Sequence, residues 1–319
     1  MSEALVEFEG VGKRFGPVHA LSDITFALQP GEVFGYIGPN GAGKTTTLRV
    51  LVGLIRDFTG TLRIAGHEVG AQRDESHHLI GFLPQAVGFH AWRTAEGALF
   101  ALGELSGMTR EAIAPELDRL LTRFSLNDSR HKKVKQLSGG MQQKLGFVQA
   151  MLHRPKLLVL DEPLSGLDPA SRNVVKDVIR EVRAEGTTVI FSSHILSDVE
   201  DVADRIGVVR QGSMVATGTL DELKRQFGAP MIVAVEFSEP PDDDAFLDTP
   251  ELFVGRERTG KAWRVRLREG QGLDAAVHHI VEGALAAGGR IRSIGPFDPD
   301  LDELYVRYVD AHGEGHGHA

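Results

Sequence analysis

The sequence contains no cysteine among its 319 residues, which excludes a disulfide framework and any thiolate-held metal, and fits a reducing compartment. It has no long apolar run either. Leu157 to Leu160 is typical of the stretches present, far short of the ~20 residues a membrane-crossing helix requires, so any link to a membrane is expected to come through a partner. The first residues lack the basic start and apolar centre of an export signal, giving the expectation of a cytoplasmic protein. Positive charge is in short supply: 35 Lys and Arg against 44 Asp and Glu leave a formal charge of −9, which argues against wrapping nucleic acid or adhering to anionic lipid by bulk electrostatics. The remaining composition, 42% apolar and 25% charged, is that of a globular chain of one large or two moderate domains.

Residues 3 to 9 and 24 to 28 alternate apolar and polar side chains, as half-buried strands of an antiparallel layer do, with turns at Gly16-Pro17 and Pro30-Gly31. A buried run, Glu32 to Ile37, leads into a glycine-rich loop, and Leu48, Leu51, Val52 and Ile55 then follow helical spacing. Between about 91 and 137 the residues favour helix, which reads as a helical insert. Apolar runs at Leu157 to Leu160, Thr188 to Ser192 and Ile206 to Val209 are each separated by a helical stretch, the pattern of a parallel sheet covered by helices. Turn-formers at Gly228-Ala229-Pro230 mark a boundary near Phe227. Beyond it, strands at Ile232 to Phe237, Phe253 to Glu257, Trp263 to Leu267 and Ile291 to Ile294, with a helix at Asp274 to Ala287, predict a small α+β domain over 228–311. A His- and Gly-rich tail at 312–319 is expected to be solvated, its three histidines offering at most a weak metal site. His77-His78 and His278-His279 read as surface pairs.

Gly38-Pro39-Asn40-Gly41-Ala42-Gly43-Lys44-Thr45, extended by Thr46, satisfies the phosphate-loop pattern in the context it needs, between a strand and a helix. Glycines let backbone N–H groups turn around phosphate oxygens, and the helix start adds a positive dipole. Lys44 would neutralise the β- and γ-phosphates and the Thr45 hydroxyl would ligate Mg²⁺; the alternative is a glycine turn before a core helix. Leu157 to Leu160 ends in Asp161 and Glu162, so a buried strand would deliver two carboxylates to its C-terminal tip. Successive strand residues point opposite ways, which gives Asp161 a place on Mg²⁺ and Glu162 one as general base toward water. An acidic cap on a sheet is the competing reading of that pair.

Leu137-Ser138-Gly139-Gly140-Met141-Gln142-Gln143, lying before the Asp-Glu strand, resembles the signature of the ABC ATPase family. The resemblance covers residues 3 to 227 and implies an α/β P-loop NTPase of ABC type, with an antiparallel β layer and a helical insert. It further implies that Ser138, Gly139 and Gly140 reach the γ-phosphate of ATP held by the opposite subunit, so that a head-to-tail pair encloses two ATP. Gln85 resembles the family's Mg²⁺- or water-contacting glutamine, Asp168 in Gly166-Leu167-Asp168 its subunit-contact loop, and His194 its γ-phosphate-sensing histidine. Phe15 stands where the family usually has a tyrosine stacked on adenine; it keeps the π-face and loses the hydroxyl, with a core role as the alternative. The C-terminal part resembles the extension of ATPase subunits serving drug, sodium or polysaccharide exporters with separate permeases. The expectation is therefore an ATP-hydrolysing subunit of a membrane exporter, partnered by permease subunits and a second copy of itself. It would lie on the inner face of the cell membrane through the permease. A soluble ABC ATPase acting on nucleic acid or ribosomes is the alternative.

Overall fold

The computed structural model describes residues 4–69, 75–227, 231–268 and 270–297. The chain divides into two compact units, Met1–Leu223 and Lys224–Ala319. The division falls a few residues before the Gly228-Ala229-Pro230 break, which, like residues 298–319 and the histidine tail, lies outside the described residues.

The first unit opens with strands β1 (Val6–Phe15) and β2 (Val18–Leu28), a hairpin about Gly16-Pro17 that is longer than the alternating segments in the sequence indicate. His19, Ala20, Ser22 and Asp23 break the apolar alternation, so the start of β2 is held by pairing with β1 and not by its own pattern. Strand β3 (Val33–Ile37) is buried throughout and is followed by helix α1 (Lys44–Leu51). Strands β4 (Thr59–Ile64) and β5 (His67–Glu68) complete an antiparallel sheet of order β2-β1-β4-β5. Strand β6 (Ile80–Leu83) has no clear sequence signature because Gly81 interrupts it. A Cβ there would lie 2.0 Å from the Ala150 carbonyl, so the glycine is what lets the following helical layer lie against the strand.

Between 91 and 137 the regular elements are helical, α2 (Ala95–Leu105) and α3 (Arg110–Arg123), together with short 3₁₀ turns. Helix α4 (Gly139–Met151) leads to β7 (Leu157–Leu160), α5 (Pro169–Ala184), β8 (Thr188–Ser193), α6 (Leu196–Glu200), β9 (Arg205–Arg210), β10 (Ser213–Gly218) and α7 (Leu220–Gln226). The main sheet has the order β10-β9-β3-β8-β7-β6, parallel except for the β9–β10 hairpin. Phe8 and Phe26 of the antiparallel layer stack toward Phe34 and Tyr36 of β3, so one apolar cluster joins the two sheets beneath the glycine-rich loop.

In the second unit, strands β11 (Ile232–Glu239), β12 (Phe253–Thr259), β13 (Ala262–Leu267) and β14 (Arg290–Phe297) form an antiparallel sheet of order β12-β13-β11-β14. Val233, Val235, Phe237, Trp263 and Val265 pack with Ala276, Ile280 and Ala284 of α8 (Leu273–Ala286). His278 and His279 do not form a matched surface pair. His278 is exposed beside Glu282, whereas His279 is half-buried and its Nε2 lies 2.9 Å from both the Phe246 carbonyl and the Thr249 hydroxyl. Adjacent helix positions point about 100° apart, so two neighbouring histidines rarely share one environment.

Candidate functional site

The loop after β3 is shaped by what surrounds it. A Cβ on Gly38 would lie 2.2 Å from the Val209 carbonyl, and Gly43, at φ +106°, would place one 2.8 Å from the Ala20 carbonyl, so both positions exclude side chains. Gly43 caps α1, whose first turn carries no acidic residue, leaving the helix start electropositive. The loop is braced from below. The Tyr36 and Thr47 hydroxyls are 3.2 Å apart, and Thr47 donates to the Gly43 carbonyl at 3.1 Å. Burial pushes the Tyr36 phenol above its ordinary range, the contact with Thr47 offsetting only part of that, so it stays neutral as it braces. Ala42 is buried, and its carbonyl accepts from the Gly212 amide at 2.9 Å.

Lys44 is buried and its Nζ donates to the carbonyls of Gly38 and Pro39 at 2.7 and 3.3 Å. It also lies 3.3 Å from Glu162 Oε1. Asp161 follows the end of β7, its amide bonded to the Leu83 carbonyl of β6. Its Oδ1 accepts from the Thr45 hydroxyl at 3.1 Å and from the Ser192 hydroxyl at 2.8 Å. Glu162 adopts φ +50°, rare for a residue with a side chain. That turn, and not strand alternation, is what separates the tasks of the two acids: both lie past the strand, and Glu162 reaches Lys44 on one side and His194 Nδ1, at 2.8 Å, on the other.

Ser192 takes part in the site without any motif that marks it. Fully buried, it accepts from the Glu162 amide at 2.8 Å while donating to Asp161, and so fixes both acids at once. The parallel pairing of Leu160 with Phe191 puts Ser192 beside Asp161, a register that no local sequence signal carries. Ser192→Ala is expected to leave the buried Glu162 N–H unsatisfied and lower stability by about 1–3 kcal/mol. ATP turnover should fall with it. Urea denaturation and a turnover assay check the two effects separately.

Asn40, Gly41, Gly43, Lys44, Thr45, Thr46, Gln85 and Glu162 line one cleft of about 410 Å³, together with Val18, His19 and Ala20 of β2. Phe15 pairs with Val18 across the β1–β2 hairpin and is 50% exposed, which removes the core role held open for it. Asp161 and His194 join through Thr45 and Glu162. The Thr45 hydroxyl, the Asp161 carboxylate and the Gln85 amide are hard oxygen donors of the kind that suit Mg²⁺ completed by water and phosphate oxygens. Among the described residues there is no cluster of three or more His, Asp or Glu that would make an all-protein metal cage.

Ser138, Gly139, Gly140 and Asp168 are not part of that cleft's lining. Ser138 caps α4 by accepting from the Met141 amide at 3.3 Å, and a Cβ on Gly139 would meet nothing within 4 Å. Asp168 caps α5. Bonds from the amide and hydroxyl of Ser171, at 3.0 and 2.7 Å, hold its carboxyl below the usual carboxylate range. The two helix starts are neighbours, since a Cβ on Gly140 would lie 3.9 Å from the Leu167 side chain.

A family model described as ABC transporter matches residues 21–165. The chain is 38% identical over 270 residues to the ABC transporter ATP-binding protein YxlF of Bacillus subtilis (strain 168), covering 79% of this chain and 89% of that one. It is 37% identical over 310 residues to the daunorubicin resistance ATP-binding protein DrrA3 of Streptomyces coeruleorubidus, covering 96% of each. A solved structure titled as the ATP binding subunit of an ABC transporter superposes with a TM-score of 0.66 at 30% identity, over 70% of this chain and 93% of its own. With the phosphate loop, the acid pair and the signature helix on one α/β scaffold, the chain belongs to the ABC transporter ATP-binding family, whose members are the ATP-hydrolysing subunits of ABC transporters.

Proposed function

We propose that this chain drives an exporter whose membrane-spanning subunits are separate chains, working as a head-to-tail pair that closes on two ATP and reopens after hydrolysis. The observation that carries this reading is the division of the site: Lys44, Thr45, Asp161, Glu162 and His194 form one connected group, while Ser138 to Gly140 open α4 away from that cleft's lining. An electropositive helix start with open glycines fits an anion brought by another molecule. In the pair, each signature would face the γ-phosphate held by the other copy, and Asp168 would stand at the contact. The daunorubicin-resistance relative, matched over 96% of this chain, supports the export direction.

Bound Mg²⁺ would be held by Thr45, Asp161 and Gln85 and would supply charge neutralisation at the β- and γ-phosphates. Lys44 orients the same phosphates and offsets charge on the transferring group. Glu162 takes a proton from the attacking water as the new P–O bond forms. The bond from phosphorus to the β–γ bridging oxygen breaks, leaving ADP and inorganic phosphate. His194 holds Glu162 at 2.8 Å from the side opposite Lys44 and would sense the γ-phosphate. Phe15 is outside the cleft's lining but pairs with Val18, which is part of it, and would stack on adenine from there. No helix among the described residues is long and apolar enough to cross a membrane, so attachment at the cytoplasmic face would run through the permease.

Because each site needs two copies, turnover per chain is expected to fall on dilution, total rate rising more steeply than linearly with protein concentration. A turnover rate per chain that is constant over a hundredfold dilution would contradict the shared site.

A further inference from the structure

We propose that Lys13 is a positioning residue for the nucleobase, its ammonium sitting against the ring of Phe15 to hold the stacking platform that would otherwise lack an anchor. The inference rests on the reading that Phe15 stacks on adenine. Lys13 and Phe15 are two apart on β1 and therefore share a face of the strand. The Lys13 side chain is only 3% exposed, an unusual condition for an ammonium group, and its Nζ lies 4.7 Å from the Phe15 ring centroid. An ammonium has three N–H groups to place. Asp57 takes one through its carbonyl at 2.7 Å and another through Oδ2 at 2.5 Å. The ring is the third neighbour.

The arrangement has a chemical purpose beyond packing. Phe15 is half exposed at the end of its strand and, having no hydroxyl, has no hydrogen bond with which to fix its ring. A desolvated cation beside a π-face is worth more than an exposed one, so Lys13 limits the ring's rotamers before a base arrives and lowers the cost of ordering it. Asp57, although exposed, has its carboxyl held below the usual range by its hydrogen bond to Lys13, with Coulomb attraction adding to it.

The experiment is steady-state turnover of the full chain with ATP, with inorganic tripolyphosphate as a competitive inhibitor that has no base. Lys13→Met is expected to raise KM for ATP about tenfold with kcat within about twofold, and to leave the inhibition constant of tripolyphosphate unchanged. In a Phe15→Leu background the same substitution should add nothing to KM. An unchanged KM in Lys13→Met, or a KM and a tripolyphosphate constant that rise together, overturns the proposal. If the Met variant does not fold, Lys13→Arg decides: the retained cation must keep KM within about threefold of the parent, and a larger rise overturns it. Phe15→Ala with an unchanged KM would instead remove the stacking reading itself, a separate result.

Discussion

Glu162→Gln is expected to cut ATP turnover at least about a hundredfold while leaving ATP bound, the loss that the general-base role proposed for Glu162 implies. Glutamine keeps the size and the left-handed backbone position, and its amide can still meet His194, but it cannot take the proton from water. The charge of Lys44 is then balanced less by the protein, although the carbonyls of Gly38 and Pro39 still hold it in place for phosphate. Single-turnover measurement separates the effect from product release. A variant within about threefold of the parent would show that the base is another group.

Lys44→Met should weaken ATP binding on the order of a hundredfold, about 3 kcal/mol, because a charge-assisted contact to the phosphates is lost in a partly desolvated cleft. Isothermal titration with ATP reads it. The same change has a second consequence. Lys44 and Glu162 are 3.3 Å apart and both nearly buried, so removing the ammonium strands a carboxylate that retains His194 as its neighbour. Adding Glu162→Gln to Lys44→Met is therefore expected to recover part of the lost folding stability, a non-additive pair in urea denaturation. Strict additivity would mean that the 3.3 Å contact contributes no coupling.

Much of this site was legible in the sequence because it is local. The glycines form one loop after a buried strand and Lys44-Thr45 open the helix that follows it, and Asp161-Glu162 follow another buried run. What the sequence hid is non-local. Ser192 joins the two acids only through the register of β8 on β7, and nothing in Phe-Ser-Ser-His announces that pairing. The φ of Glu162 was invisible for a local reason, since no glycine or asparagine marks the turn. In the fold, β6 and the first half of β2 escaped because Gly81 and a polar run hide strands whose stability comes from their neighbours. Lys13, one of many charged residues along the chain, becomes informative only once its burial against Phe15 and Asp57 is seen.

If two copies complete each other's sites around ATP, as proposed, the solution mass of Glu162→Gln must depend on the nucleotide. Light scattering with Mg²⁺ and ATP present should give double the monomer mass, falling back to monomer when ATP is replaced by ADP, because closure of the proposed pair would need the γ-phosphate between Lys44 and the partner signature. A chain that binds ATP under these conditions and stays monomeric at every concentration would contradict it.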